Sequence, residues 1–224
     1  MAVVEERPAL AVADPAPLGL AGFALTTFLL SGHNATFIPD LIWVGPALFY
    51  GGLVQLLAGM QEYRNKNVFG ATAFSTYGGF WLGLGIFIVL AETTHFLGGI
   101  TNPNDVPNAV AWYLLAFAIF NTYMLLWSMR INVAVFTVFL TLEATEILLV
   151  IGNFDVAHGN ANNSWVHAGG WVGILTAAAA WYASAAGVVN GMSPKPVLPV
   201  GSPFWGRMPR MSRPGSPMPR RTEG

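Results

Sequence analysis

Six long apolar stretches constrain the fold of this chain more than any other feature. They cover roughly residues 18–37, 41–61, 69–91, 108–129, 131–152 and 165–190. A helix that crosses a bilayer needs about 20 mainly apolar residues. Only 9% of the residues are charged, whereas a soluble domain carries about 25%. The pattern predicts an all-α integral membrane protein, a six-helix transmembrane bundle within residues 14–191.

The basic residues of the chain indicate how this bundle is oriented. Arg7 precedes the first stretch, Arg64 and Lys66 join the second to the third, and Arg130 joins the fourth to the fifth. The other basic residues follow the sixth stretch, so all ten fall on one side of a six-span bundle. Because basic loops stay in the cytoplasm, both termini are predicted to be cytoplasmic.

Two terminal segments flank the predicted bundle. Residues 1–13 read as a cytoplasmic N-terminal tail without the apolar core of a cleavable signal peptide. Residues 192–224 repeat proline, glycine, serine and arginine. Such a composition cannot build a packed core, so we expect a disordered cytoplasmic tail.

Several classes of chemistry are disfavoured by missing residues. Cysteine is absent, so disulfides and cysteine-ligated metals are excluded. Both lysines, Lys66 and Lys195, lie outside the apolar stretches, which excludes a membrane-buried retinal Schiff base. The sequence has no phosphate-binding glycine loop for direct ATP-driven pumping. The histidines have no strong ligand spacing, so we expect no metal and no other cofactor; His33 with Asn34, and His167, are predicted to line an outer vestibule or to cap helix ends.

Two carboxylates interrupt the fifth apolar stretch. Glu143 and Glu146 are three residues apart and therefore share one face of a helix. Acidic residues inside a membrane are costly and usually face the bundle interior or a water-filled cavity. Like charges in a low dielectric oppose double ionisation, so the pair is expected to be partly protonated. Either the pair is a proton site near a permeation path, or it joins helices through hydrogen bonds.

Hydroxyl and small residues alternate with aromatic residues at the start of the third stretch. Thr72, Ser75 and Thr76 can donate hydrogen bonds to a carboxylate, and the neighbouring rings can close a narrow, dry passage. The alternative is that they are helix-packing positions. Small residues at four-residue spacing also predict close helix contacts: Gly79 with Gly83, Gly169 with Gly173, and Gly187 with Gly191.

The entry to the first stretch reads DPAPLGL, residues 14–20, in which Asp14 is expected to cap the helix and Pro15 to fit its first turn. This string resembles the NPAPLGL signature of the acetate uptake transporter family, which includes bacterial succinate–acetate permeases and fungal ammonia/acetate exporters. The resemblance continues in order through FYGGLVQLLAGMQEY (49–63), FGATAFSTYGGFW (69–81) and LPVG (198–201). It covers nearly the whole membrane portion.

The resemblance implies a function and a set of site residues. It implies transport of small monocarboxylates, acetate first and succinate next, either with protons or as an anion channel. The transporter would be a homohexamer in the plasma (inner) membrane, with a pathway in each protomer and no enzymatic activity. The hydrophobic constriction of the family falls on Phe23, Tyr77 and Leu142. The entry motif falls on four residues: Asp14, Pro15, Pro17 and Gly19.

One residue departs from the family pattern. Asp14 stands where the family has asparagine, and an ionised carboxylate cannot donate a hydrogen bond to a carboxylate substrate. The residues alone also leave room for other functions. A multi-span scaffold or sensor that transports nothing would keep the glycine pairs, and a membrane-embedded enzyme is a weaker alternative because no nucleophile–base pair emerges.

Overall fold

The computed structural model describes residues 12–93, 104–160 and 163–205, and this part of the chain is helical. Five helices in it are long and apolar enough to cross a membrane. They are α1 (Ala16–Asn34), α4 (Val68–Thr93), α5 (Asp105–Ser128), α6 (Val133–Ala157) and α7 (Ser164–Met192). The shorter α2 (Val44–Leu48) and α3 (Gln55–Arg64) flank a π-helical turn (Phe49–Val54).

The second apolar stretch therefore differs from the single straight helix that its length predicts. Its α2, π-helical and α3 segments follow one another without a break. Gly51 and Gly52 lie in the wide turn, and a Cβ atom on Gly51 would come within 2.8 Å of the Thr26 Cβ atom. A π turn bulges the backbone out of an α-helix, and here the bulge brings it against α1. The structure thus has five helices of membrane-spanning type and one composite segment.

The helices form a closed ring. α1 packs against α7, α7 against α6 and α6 against α5, while α3 packs against α4 and the π-helical turn contacts both α1 and α4. Glycines permit the closest approaches, as predicted for membrane helices. Gly173 lies against Ser31, and a Cβ atom on Gly187 would come within 2.7 Å of Pro17. Gly79 and Gly191 have no such neighbour within 4 Å.

The two ends of the ring differ in charge. Arg64 ends α3, Arg130 lies in the turn between α5 and α6, and Lys195 follows α7. The contact of Gly187 with Pro17 places the end of α7 beside the start of α1. We call this the basic end. His33 and Asp40, 3.4 Å apart between Nε2 and Oδ1, lie at the opposite end.

The tail after α7 begins as an ordered segment, so the prediction of disorder from residue 192 is wrong for residues 193–205. The Val200 carbonyl accepts a hydrogen bond from the Ala134 amide at 2.9 Å, and the Phe204 amide donates to the Met129 carbonyl at 2.9 Å. The Phe204 ring packs on Phe136 with centroids 4.9 Å apart. The apolar residues of segment 193–205 hold it against the start of α6. A prediction that considers only proline and glycine content overlooks these contacts. Residues 206–224 lie outside the described part of the chain.

Candidate permeation pathway

Three cavities lie along the inside of the helix ring. One of about 210 Å³ lies at the end opposite to the basic end, and its polar lining residues include His33, Asn34, Asp40, Glu92 and Asn153. A central cavity of about 40 Å³ follows, and a third of about 80 Å³ lies at the basic end. Each exceeds the roughly 10–15 Å³ that one water molecule requires. The first two share Leu30, Leu114 and Leu149 in their walls.

The predicted constriction residues meet at the central cavity. Phe23 of α1, Tyr77 of α4 and Leu142 of α6 all line it. Each is buried, and the Phe23 and Tyr77 rings pack edge to face with centroids 5.6 Å apart. One helical turn nearer the basic end, Leu20, Ala73 and Phe139 line the third cavity instead. The trio therefore lies between the central and basic-end cavities.

Three polar atoms at the central cavity have no hydrogen-bond partner among the described residues. They are Thr27 Oγ1, Trp81 Nε1 and Glu146 Oε2, and their side chains line the cavity. Glu146 is only 2% exposed. Buried polar groups nearly always have partners, so this cavity is equipped to bind a polar ligand or water.

The two membrane glutamates have different surroundings. Glu146 Oε1 lies 3.3 Å from the Tyr77 hydroxyl. Glu143 faces α5, where Asn121 Nδ2 donates to its Oε2 at 2.6 Å and the Thr122 hydroxyl lies 2.7 Å from its Oε1. Tyr77 also donates to Asn121 Oδ1 at 2.9 Å. Of the predicted pair, only Glu146 lines the central cavity, while Glu143 joins α6 to α5.

Some predicted pathway residues lie elsewhere. Thr72, Ser75 and Thr76 line none of the three cavities. Ser75 lies against Gly59 of α3, so it occupies a helix-packing position, the alternative considered for these hydroxyls. His167 is absent from the wall of the opposite-end cavity, which its neighbour Val166 lines together with His33 and Asn34.

The entry motif acts mainly in packing. The first helix begins at Ala16, so Pro15 rather than Asp14 occupies the N-cap position. Asp14 is exposed and accepts a hydrogen bond from the Ala16 amide at 3.0 Å. The Ser184 hydroxyl donates to the Pro17 carbonyl at 2.6 Å, and a Cβ atom on Gly19 would come within 2.7 Å of the Phe74 ring. The motif thereby holds α1 against α7 and α4.

The sequence analysis did not identify several buried polar residues. Asn121 is fully buried, and its signal was an amide within the apolar run AFAIFNTYMLL. Glu62, just beyond the second apolar stretch, is also fully buried. Burial raises the pKa of Glu62; a hydrogen bond from Asn65 opposes this rise, and the charge of Asp14 adds to it. Within the described ranges, no three histidine, aspartate or glutamate residues converge as a metal site would require.

A ring of helices with cavities along its inside, five of the helices being long and apolar enough to cross a membrane, defines a multi-pass membrane protein. The GPR1/FUN34/yaaH family profile matches residues 2–200. The chain belongs to this family, which confirms the resemblance found in its motifs.

Individual relatives agree with this assignment. Accumulation of dyads protein 2 of Saccharomyces cerevisiae is 42% identical over 187 residues, or 80% of this chain and 62% of the yeast protein. This chain thus spans less than two thirds of that relative. The succinate-acetate/proton symporter SatP of Escherichia coli K12 is 37% identical over 193 residues, 85% of this chain and 96% of the symporter. The solved structure of the bacterial acetate channel SatP is 36% identical, has a TM-score of 0.75, and covers 85% of this chain and 100% of that one.

Proposed function

We propose that this protein carries acetate and related small monocarboxylates across the membrane through the path inside its helix ring. The observation that carries the proposal is the central cavity, where the apolar constriction adjoins three unpartnered polar atoms. Relatives that cover nearly this whole chain are named as an acetate channel and a succinate-acetate symporter. Succinate is the second candidate substrate.

The lining of the cavity fits a short carboxylic acid. The Trp81 N–H and the Thr27 hydroxyl are donors for a carboxylate. A protonated Glu146 does not repel the anion, and it donates a hydrogen bond when Oε2 carries its proton. Phe23 and Leu142 provide no partner for the shell of a hydrated inorganic ion, whereas the methyl group of acetate fits against them. Glu146 is therefore our candidate for the proton site, in a symporter or in an anion channel.

The membrane arrangement that we propose has six spans, with the composite segment of residues 44–61 as the second. The basic end is cytoplasmic by the positive-inside rule, so the 210 Å³ cavity opens outward in the plasma (inner) membrane. Reporters fused at Arg64, at Arg130 and at the C-terminus should all read cytoplasmic, and an external reading from any of them contradicts this topology.

We propose a homohexamer as the assembly. Gly79 and Gly191 lack a neighbour within 4 Å, and small residues at such positions let helices of other protomers approach closely. Large apolar side chains such as Ile119 and Leu175 are more than 60% exposed and suit contact with lipid or with a second copy. Native mass spectrometry of the purified protein measures the number of copies.

Radiolabelled acetate flux into liposomes that contain the purified protein tests the proposed function. We expect flux above that of protein-free liposomes. Thr27→Phe fills the central cavity and should abolish the flux, while Leu140→Phe, at an exposed apolar position of α6, is the matched control and should not. If the wild type passes no acetate, propionate, lactate or succinate between acidic and neutral pH, the non-transporting scaffold or sensor is the better interpretation.

A further inference from the structure

We infer that Asn121, held in place by Glu143, determines which way the proton of Tyr77 points and thereby keeps Glu146 in its protonated form. Glu143 and Asn121 are then positioning residues, since neither lines the central cavity. The inference deepens the proposed function, because it explains how the proton site of the path is set.

The hydrogen bonds of Asn121 determine the orientation of its amide. Its Nδ2 donates to the Phe139 carbonyl at 3.0 Å and to Glu143 Oε2 at 2.6 Å, which uses both protons. With the amide reversed, Oδ1 would face these two oxygens. The side chain is fully buried, where an unmade hydrogen bond is costly.

Tyr77 has one hydroxyl proton, and this proton forms the hydrogen bond to Asn121. Tyr77 donates to Asn121 Oδ1 at 2.9 Å, the shorter of its two contacts. The 3.3 Å contact between the Tyr77 oxygen and Glu146 Oε1 is then a hydrogen bond only if Glu146 is protonated and acts as the donor. An ionised Glu146 would face a tyrosine oxygen without an available hydrogen, and its Oε2 would have no partner among the described residues.

Glu143 provides the acceptor that this arrangement requires. Glu143 Oε2 accepts from Asn121 whether or not Oε1 carries a proton. A proton on Oε1 can be accommodated because the Thr122 hydroxyl beside it can donate to the Ala118 carbonyl, 2.9 Å away, instead. The geometry therefore depends on an oxygen at this position, and a neutral amide at residue 143 supplies one.

Few titratable groups surround Glu146. Tyr77 faces it from α4, with Tyr123 of α5 acting on Tyr77 from a greater distance, and Glu143 acts from its own helix. The lining contributed by α1 is Thr27 and Ser31, which do not titrate. On α7, the hydroxyl oxygen of Thr176 lies 3.2 Å from the hydroxyl oxygen of Thr145. The Tyr77 hydroxyl is thus the main hydrogen-bond donor near Glu146 whose direction can change.

Infrared difference spectroscopy of the protein in liposomes without acetate tests the inference. The C=O stretch of protonated Glu146 is identified by its loss in Glu146→Gln, and its intensity is followed against pH. Asn121→Leu and Glu143→Leu leave the Tyr77 hydroxyl free to donate its hydrogen bond to Glu146. The midpoint, which is the pH at which half of the band has disappeared, should then lie about one unit lower than in the wild type. Glu143→Gln keeps the acceptor and removes only the charge that acts on Glu146 from its own helix, so it should lower the midpoint by less than Glu143→Leu does.

The variants have defined controls and contrary outcomes. Thr137→Val, outside the network on α6, should not move the midpoint, and Asn121→Ser serves if either leucine variant fails to fold. The double variant Asn121→Leu/Glu143→Leu should shift no further than the larger of the two single changes, because both changes act through one contact. An equal shift of the midpoint in Glu143→Gln and Glu143→Leu would mean that Glu143 acts through its charge. An unchanged midpoint in both leucine variants would show that Asn121 does not control the protonation of Glu146.

This readout is separable from transport. The titration of Glu146 is measured without substrate, so a protein that passes no acetate can still confirm or contradict the role of Asn121. Conversely, flux with an unmoved titration supports the proposed function and overturns this inference.

Discussion

Two buried carboxylates, Glu62 and Glu146, lie in contrasting parts of the molecule. Glu62 is 0% exposed and Glu146 is 2% exposed, and each has one oxygen without a hydrogen-bond partner. Glu146 lines the central cavity beside Phe23 and Leu142. Glu62 lines none of the three cavities; it accepts from Asn65 at 3.0 Å and lies against Gly70, where a Cβ atom would come within 2.7 Å of its Oε1.

The comparison shows that burial alone does not mark a carboxylate for transport. Both groups are removed from water, which is expensive for an ionised side chain. What separates them is the surroundings of the side chain: Glu146 lines a cavity, whereas Glu62 lies against Gly70 of α4. We therefore expect changes at the cavity to alter selectivity and pH response, and changes around Glu62 to alter stability.

The largest expected effect concerns selectivity at the constriction. Phe23→Ala or Leu142→Ala removes a side chain between two cavities, so the flux of succinate or lactate relative to acetate should rise by about tenfold or more. The ratio is measured by competition in the liposome assay. Leu56→Ala, at the packed contact with Gly78, is the control and should leave the ratio unchanged. Unaltered selectivity in folded Phe23 and Leu142 variants would remove these residues from the constriction.

A smaller effect is expected on stability around Glu62. Gly70→Ala places a methyl group against Glu62 Oε1 and within 2.5 Å of Asn67 Nδ2, and overpacking of this kind costs about 1–3 kcal/mol. The melting temperature in detergent should fall while the preference for acetate persists. Gly45→Ala, at a helical position with nothing within 4 Å, should be neutral or slightly stabilising because alanine favours helix. Equal effects of the two changes would contradict the tight packing at Gly70.

The smallest effect is the pH dependence that Glu62 contributes to stability. Burial raises the pKa of this carboxyl above 4.5, so between 4.5 and the raised value the folded protein holds more protons than the unfolded chain. Stability must then fall as pH rises through this window. Glu62→Gln removes the titrating group and should flatten that part of a thermal-stability profile. An unchanged decline in the variant would mean that the carboxyl is ionised at no cost to folding and would contradict the prediction.

The sequence predicted the elements better than it predicted the partners of polar side chains. Apolar length alone located the five long helices, and the family motifs identified Phe23, Tyr77 and Leu142, which line one cavity. The composite helix of the second apolar stretch was missed because a π turn leaves hydrophobic length unchanged. The partners of Glu143 were missed because Asn121 is 22 positions away, and helical periodicity specifies a face but not the helix that covers it.

The hydroxyls of α4 illustrate the same limit. Ser75 and Tyr77 are two residues apart and so point in different directions on a helix. Tyr77 lines the cavity, whereas Ser75 faces Gly59. The sequence left open whether Thr72, Ser75 and Thr76 line a passage or pack between helices, because it contains no information on which neighbours surround the helix. The order of residues 193–205 was missed for a related reason, since its hydrogen bonds depend on where α6 begins.

The central claim is that the protonation state of Glu146 governs passage of acetate, and one measurement tests it directly. Initial acetate flux is recorded against pH and corrected for the balance between acetic acid and acetate, in wild type, Glu146→Gln and the matched control Glu62→Gln. Because an ionised Glu146 repels the anion, corrected flux should fall as pH rises in the wild type and in Glu62→Gln, and should be flat in Glu146→Gln. The same corrected profile in wild type and Glu146→Gln would contradict the claim and leave Glu146 as a group that joins helices.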